Sequence, residues 1–307
     1  HDSHDEDHFH LKPIQLPRPM FGLAIRPQND ADAQKTSDAL HVAEAEDPSV
    51  QIEHNASLNE VVLLGLGELH LATLLQQIED RYSLDLVTSL PSIAYRETIT
   101  AKAEGHHRHK KQTGGAGQFG EVYLRIEPLP QGSGFEFGSA VVGGSIPSQF
   151  IPAVENGVRQ AMKEGAINGY PMQDVKVVVY DGKHHNVDSK EIAFVQAGKK
   201  AFLDAVAKAR PIVMEPIVNA EFSVPTDCVG GVTGDLSGMR GMITGTDALP
   251  DNRALVSGQV PLQELQGYHS RLKSLTGGDG SFTMDFSHYA EIPATELKQI
   301  QAEAEQA

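Results

Sequence analysis

The fold is decided by the stretch Gly115-Ala116-Gly117-Gln118-Phe119-Gly120-Glu121-Val122, which fits the pattern G-x-G-x-x-G-x-V. After it, Val122, Leu124 and Ile126 alternate with polar residues, and this period of two predicts a strand with one buried and one solvent-exposed face. A dinucleotide loop needs a strand before it and a helix after it. Here a basic hydrophilic segment precedes the run and a strand follows. The run therefore predicts a flexible loop, either a plain surface turn or a loop that approaches RNA phosphate.

The rest of the sequence also argues against two other kinds of nucleotide-binding loop. A protein kinase also needs a lysine-bearing strand, a catalytic H-R-D loop and a metal-binding D-F-G, and the near matches His107-Arg108-His109 and Asp285-Phe286-Ser287 are in the wrong places. A phosphate loop ends in Gly-Lys-Ser/Thr, which occurs nowhere in the chain. We therefore predict no catalytic residue and no nucleotide site in this chain.

Charge restricts how the chain can meet nucleic acid. Its net charge is −16, from 25 Lys and Arg against 41 Asp and Glu, so it repels a polyanion as a whole. Residues 96–111 reverse this locally, with five Lys or Arg, two Glu and three His. Any contact with RNA is expected to be local.

Composition points to a globular protein of two or three domains, because 307 residues exceed one ordinary core. No apolar run reaches the ~18–20 residues of a spanning helix, and the first residues lack a signal-peptide pattern, so a cytoplasmic protein without membrane contact is expected. Cys228 is the only cysteine, which is typical of a small buried apolar residue rather than a reactive thiol. No metal site is predicted near the start of the chain, because no helix or turn fixes the histidines there, which are His1, His4, His8 and His10.

The order of predicted elements divides the chain. Residues 17–90 read strand, helix, strand, strand, helix, strand, the order of a ferredoxin-like sandwich, with a helix entered at Gly67-Glu68. Residues 211–290 have the same order, with Pro261 opening a helix, although no residue pattern repeats between the two stretches. A polar helix is predicted in residues 291–307, and residues 1–16 are expected to be a linker or the tail of a preceding domain, which would be a β-barrel by the family resemblance described below.

Between them, residues 91–210 begin β-rich and then alternate strands with helices. Asp181-Gly182 is typical of a turn after a strand. Asp188, with Glu191 three residues later, resembles a capping box that begins a helix ending at Ala209.

Several motifs in one order resemble the elongation factor G family. The fourth domain of that family is resembled by Pro91 to Ile99, the glycine run, Gly144-Ser145-Ile146-Pro147, Gly169-Tyr170-Pro171, Val187-Asp188-Ser189 and Ala193-Phe194. Its third domain is resembled by Gly65 to Leu71, and its fifth by Leu262 to Tyr268, Gly280 to Phe282 and His288-Tyr289. The resemblance implies an α+β chain, with a ferredoxin-like domain III, a ribosomal protein S5-like domain IV and a second ferredoxin-like domain V.

The resemblance also implies a function and a set of sites. The family couples GTP hydrolysis to translocation of tRNA and mRNA, and its GTPase and barrel domains precede the part seen here. GTP and Mg²⁺ would belong to that GTPase domain in a monomeric parent, and the ribosome would be the partner. Two loops at the tip of a tRNA-mimicking domain would hold Gly114, Gly115, Ala116, Gly117, Gln118, His184, His185 and Asn186. Ribosomal RNA contacts are expected at Lys110, Lys111, Arg240 and Gly278, and a GTPase-domain interface at Glu68 and His70.

Some residues depart from the family pattern. Ala116 stands where arginine is frequent, Met239-Arg240 replaces a more basic cluster, and Asp279 stands near a position that is commonly basic. His184 and His185 can also simply be solvent-exposed side chains of a surface turn. Three functions therefore stay open: a translocase, a recycling, rescue or protection factor of the same family, and a free-standing RNA- or protein-binding module without a GTPase domain.

Overall fold

The computed structural model describes residues 19–55, 58–111 and 117–304, and side chains are described as far as residue 300 and at residue 302. The chain forms two compact units: residues up to 93 together with 218–287, and residues 94–217 together with the segment from 288 onward.

The first unit begins with a four-stranded antiparallel sheet in the order β2-β3-β1-β4. Its elements are β1 (Phe21–Pro27), α1 (Ala33–Glu46), β2 (Gln51–Asn55), β3 (Glu60–Gly65), α2 (Glu68–Tyr82) and β4 (Leu86–Ser89). The helical spacing of Leu71, Leu75 and Ile78 buries all three against the sheet. This confirms the predicted ferredoxin-like order for the start of the chain.

A second sheet has the strand order β11-β12-β10-β13. Counted along the chain, its four strands are arranged second, third, first, fourth, as in the first sheet. Its elements are β10 (Pro211–Pro225), α5 (Val229–Gly238), β11 (Met242–Leu249), β12 (Arg253–Pro261), α6 (Tyr268–Leu275) and β13 (Ser281–Glu291). The unit boundaries fall within β10 and β13. Phe222 stacks on Phe282 with ring centroids 5.4 Å apart, and Tyr268 meets Phe222 edge-on. The second ferredoxin-like order is thus confirmed, but Pro261 opens only a 3-10 turn, Leu262–Leu265.

The second unit is built on the sheet β6-β7-β9-β8, in which β8 is parallel to β9. Its elements are β5 (Arg96–Ile99), β6 (Ala103–Lys111), β7 (Gln118–Pro128), β8 (Phe135–Ser139), α3 (Ile151–Glu164), β9 (Val175–Lys183), α4 (Glu191–Lys208) and α7 (Ala294–Ala304). Phe194 and Phe202 of α4 are fully buried in its core. A side chain at Gly105 would lie 2.0 Å from the carbonyl oxygen of Ala201, so the backbones of β6 and α4 can approach this closely only because residue 105 is glycine.

Glu97 ties two distant segments of this unit together. Its carboxylate is fully buried and accepts hydrogen bonds from the backbone N–H groups of Ala166, Ile167, Asn168 and Tyr170 at 2.6–3.2 Å. Four donors replace the lost hydration of one carboxylate, so the loop after α3 is shaped around this side chain.

Three local predictions in this unit were wrong. The basic segment before the glycine run is not loop but strand β6, paired with β7 as far as Lys111 and Gln118. Asp181-Gly182 does not form a turn, because β9 continues to Lys183 past a register irregularity opposite Tyr123. Helix α4 has Lys190 at its N-cap with no side-chain capping bond, so Asp188 does not cap it.

Candidate functional site

Two loops meet at one end of the sheet of the second unit. Strand β7 begins at Gln118 and β9 ends at Lys183, and the two strands are antiparallel, so both termini lie at the same edge. The segment from His184 to Lys190 then connects β9 to α4. We call the described residues 117–119 and 184–189 the tip. Gly114, Gly115 and Ala116 belong to the same predicted loop but lie outside the described residues.

Hydrogen bonds join the two parts of the tip directly. The backbone N–H of Phe119 donates to the carbonyl of Asp188 at 2.9 Å, and the Ser189 hydroxyl donates to the carbonyl of Phe119 at 3.0 Å. The backbone N–H of Gly117 donates to Oδ1 of Asp188 at 3.2 Å. Gly117 of the glycine run is thus in direct contact with Asp188 of the segment that follows the histidines.

His185 lies at the turn of the second loop. Its carbonyl accepts from the N–H of Ser189 at 3.0 Å, and its own N–H donates to the Ser189 hydroxyl at 2.8 Å. The imidazole Nδ1 accepts from the backbone N–H groups of Val187 and Asp188 at 3.4 and 3.3 Å. With the turn closed by these bonds, the His185 side chain remains 58% exposed.

The other predicted tip residues have different surroundings. His184 is turned toward the chain before α3, with Nδ1 3.2 Å from the carbonyl of Ser145. The amide oxygen of Gln118 lies 3.1 Å from Nε2 of His109, which makes His109 the donor. Asn186 is exposed, and Val187 is 76% exposed although it is apolar. These predicted tip residues thus present polar groups beside one exposed apolar side chain, that of Val187.

A buried carboxylate supports the tip from the neighbouring rungs of β6 and β7. Glu121 accepts from Nε2 of His106 at 2.8 Å, from Nε and Nη2 of Arg108 at 3.1 and 3.0 Å, and from the Tyr123 hydroxyl at 3.2 Å. Burial alone would raise the pKa of Glu121, but the hydrogen bonds from His106 and Arg108 outweigh it and lower this pKa. Arg108 also lies over the Phe119 ring, 6.0 Å from its centroid.

The predicted ribosomal RNA contacts are divided between the two units. Lys110 and Lys111 are exposed at the end of β6, next to the tip. Arg240 and Gly278 belong to the first unit. Arg240 is ion-paired with Glu264, Nε to Oε1 at 2.9 Å. Gly278, at φ 93°, has its carbonyl bound by the Lys273 ammonium at 2.9 Å.

Glu68 and His70 lie in the first turn of α2. Nδ1 of His70 accepts from the N–H of Leu66 at 3.2 Å, so Nε2 carries the proton and donates to Oδ2 of Asp47 at 3.0 Å. Hydrogen bonds from Ser49, and to a smaller extent from His70, lower the pKa of Asp47. His70 therefore fixes the start of α2, whereas Glu68 is exposed.

Asp188, Ser189 and Phe119 were missed as site residues in the sequence. The available signal was that Val187-Asp188-Ser189 follows the histidines at once, but Asp188 was interpreted as a helix cap. Within the described residues, no group of three or more His, Cys, Asp or Glu side chains is arranged to hold a metal ion. No helix in the described part of the chain is long and apolar enough to cross a membrane.

Comparison with known proteins agrees with this architecture. The family model "Elongation Factor G, domain III" matches residues 16–89, "Elongation factor G, domain IV" matches residues 91–210, and "Elongation factor G C-terminus" matches residues 212–300. The chain therefore belongs to the elongation factor G family.

Individual relatives are longer than this chain. An elongation factor G of Aquifex pyrophilus is 43% identical over 291 residues, which cover 94% of this chain and 42% of the relative. An elongation factor G-like protein of Thermotoga maritima is 40% identical, covering 95% and 43%. A crystal structure of a protein from Thermus thermophilus matches with a TM-score of 0.80 and 38% identity, covering 97% of this chain and 46% of that one. The chain thus spans less than half the length of these proteins.

Proposed function

We propose that the chain is the ribosome-binding C-terminal portion of an elongation factor G-like translational GTPase that promotes movement of tRNA and mRNA. The observation that carries this proposal is the tip, where Gly117 and Asp188 join two loops that are 71 residues apart in sequence. Family membership supports the assignment to protein synthesis, and the exposed tip supports contact with RNA.

The chemistry of the tip suits RNA edges better than RNA phosphates. His185, Asn186 and Gln118 carry hydrogen-bonding groups that fit base edges and ribose hydroxyls. Lys110 and Lys111 add local positive charge on a chain of net charge −16. Binding through shape and hydrogen bonds, with few phosphate contacts, follows from this distribution.

The GTPase step belongs to the longer parent in this proposal. The relatives have more than twice the length of this chain, and the chain carries no Gly-Lys-Ser/Thr loop. GTP and Mg²⁺ are therefore assigned to a preceding GTPase domain, which acts in cis with this portion in a cytoplasmic, monomeric protein. Glu68, exposed at the start of α2, is the better of the two candidates for contact with that domain, because His70 is engaged with Asp47 and Leu66.

The test is translocation of tRNA on purified ribosomes by the full-length protein. We expect acceleration by the wild type and a marked loss in the double variant Gln118→Ala/His185→Ala. His41→Ala is the matched control, because His41 is a histidine of similar exposure on α1, 55% against 58%. Ribosome binding without any acceleration by the wild type would reject the translocase function.

That same outcome would favour a recycling, rescue or protection factor of the family. The observation behind this second candidate is the loss of cationic positions: Ala116 and Asp279 stand where the family is often basic, and Arg240 is already paired with Glu264. Splitting of ribosomes into subunits, measured by light scattering, distinguishes it from translocation.

A further inference from the structure

Asp188 contacts both parts of the tip, and it is the residue whose side chain reaches Gly117 of the glycine run. Its Oδ1 accepts from the N–H of Gly117, and its carbonyl accepts from the N–H of Phe119. Its own N–H donates to Nδ1 of His185, and its Oδ2 lies 3.5 Å from that nitrogen. The side chain is 33% exposed, so it is reachable by solvent but largely covered by the two loops.

The arrangement around His185 selects one neutral form of the ring. Nδ1 faces two backbone N–H donors, from Val187 and Asp188, so in this arrangement it acts as an acceptor. The proton of a neutral imidazole then lies on Nε2. Among the described residues Nε2 has no hydrogen-bond partner, so it is available as a donor.

We infer that Asp188 is a positioning residue that holds the two loops in one arrangement and thereby presents Nε2–H of His185 to a hydrogen-bond acceptor. The matching ligand chemistry is a ribose hydroxyl oxygen or the acceptor edge of a base in RNA. This inference rests on the proposed function for the identity of the ligand, but the state of the His185 ring is a property of the chain alone.

Two other roles for Asp188 do not fit the geometry. A helix cap is excluded because α4 begins at Glu191 with Lys190 at its N-cap. An ion pair with His185 would place a proton on Nδ1 and leave the N–H groups of Val187 and Asp188 without their acceptor. Gly117 shows how closely the carboxylate is seated, because a Cβ atom there would lie 3.0 Å from Cγ of Asp188.

The first experiment uses the chain itself, labelled with ¹⁵N. Long-range ¹H–¹⁵N correlation of the imidazole nitrogens, above the pH at which the ring is charged, reports which nitrogen carries the proton. We expect the Nε2–H form for His185 in the wild type and in Asp188→Asn, whose amide oxygen still accepts from Gly117. Asp188→Ala is expected to give a mixture of the two forms. An Nδ1–H form in the wild type, or an unchanged pattern in Asp188→Ala, would overturn the inference.

The second experiment measures translocation by the full-length protein. Loss of one positioning hydrogen bond corresponds to a rate about tenfold slower at saturating ribosomes in Asp188→Ala, with little change in the concentration for half-maximal rate. Asp188→Asn should restore most of the rate. Asp204→Ala is the matched control, because Asp204 also accepts from a backbone N–H, that of His106, and is 38% exposed.

The outcomes separate this inference from the proposed function. Equal slowing by Asp188→Ala and Asp204→Ala, or no rescue by Asp188→Asn, would contradict a positioning role. A wild-type protein that binds ribosomes without accelerating translocation would reject the proposed function, while the ring measurement would still decide the role of Asp188.

Discussion

Arg108 and Glu121 face each other on neighbouring strands, and both Nε and Nη2 of the guanidinium donate to the same carboxylate oxygen, at 3.1 and 3.0 Å. The Glu121 side chain is only 3% exposed, whereas Arg108 is about half exposed. The sheet next to the tip therefore contains a buried carboxylate, that of Glu121, whose charge is balanced by the half-exposed guanidinium of Arg108. This relationship makes Glu121 the residue on which the stability of that end of the sheet depends.

Glu121→Gln should destabilise the second unit without changing its shape. The amide cannot accept from Arg108, His106 and Tyr123 together, so at least one of these donors loses its bond to the buried side chain, at a cost of about 1–3 kcal/mol in the free energy of unfolding. Urea denaturation at pH 7 measures this loss. Glu127→Gln is the control, because Glu127 pairs with Lys102 near the surface, so this variant should lose much less stability. Equal losses in the two variants would contradict the role given to Glu121.

The stabilisation by Glu121 should depend on pH in a defined direction. Its pKa is lower in the folded chain than in the unfolded chain, where it is roughly 4.3. The contribution is therefore fully present above that value and is lost as the pH falls through the folded pKa. The difference in stability between the wild type and Glu121→Gln should shrink when urea denaturation is repeated from pH 7 down to acidic pH. A difference that stays constant would show that ionisation of Glu121 is not involved.

Glu97→Gln should be more damaging than its conservative character suggests. The carboxylate accepts from four backbone N–H groups, and an amide NH₂ would confront some of those donors with another donor. We expect a loss of about 3 kcal/mol or more, seen as a lower melting temperature. Glu136→Gln is a suitable control, since Glu136 is 52% exposed and pairs only with Lys176. A melting temperature within about 1 °C of the wild type would contradict this account.

Helix α2 shows what the sequence could predict, whereas strand β6, Glu97 and Asp188 show what it could not. Periodic burial predicted α2 from Leu71, Leu75 and Ile78, because helical spacing alone determines which face is apolar. Strand β6 was missed because the face that packs on α4 carries Gly105, His107 and His109 rather than hydrophobic residues. Glu97 gave no usable signal, since its partners are backbone N–H groups up to 73 residues away, and the place of Asp188 after the histidines was interpreted as a helix cap although its partner is the N–H of Gly117. Long-range hydrogen bonding to backbone leaves no pattern of residue types.

His107 should take up a proton at a lower pH than an ordinary histidine. Burial is the main cause of its lowered pKa, and the charges of Lys200, His109 and His106 add to it, while Asp204 opposes them. The imidazole C2–H resonance followed by NMR should therefore titrate below about 6.5. Because the unfolded chain binds this proton more readily, stability from His107 is present above that pH and falls as the pH drops below it. His107→Gln should flatten the stability profile between about pH 5 and 7, and a normal titration would contradict the burial of this ring.

Calorimetry with GTP should give no binding to this chain. The glycine run leads into strand β7 and not into a helix, whereas nucleotide-binding folds hold the phosphate at the N-terminus of the helix that directly follows the loop. Titration to roughly millimolar GTP should release no binding heat, whereas the full-length parent is expected to bind. Micromolar binding by this chain would show that the interpretation of the run is wrong.

The variants of the tip should separate function from stability. Gln118 and His185 make few contacts with the core, and the His185 side chain is more than half exposed. Each alanine substitution should therefore change the free energy of unfolding by less than about 1 kcal/mol, as surface substitutions usually do. Thermal denaturation of the two single variants, alongside His41→Ala, measures this. Melting temperatures several degrees below that control would mean that the tip residues act through folding. Slower translocation by the double variant would then result from instability and not from a lost contact with RNA.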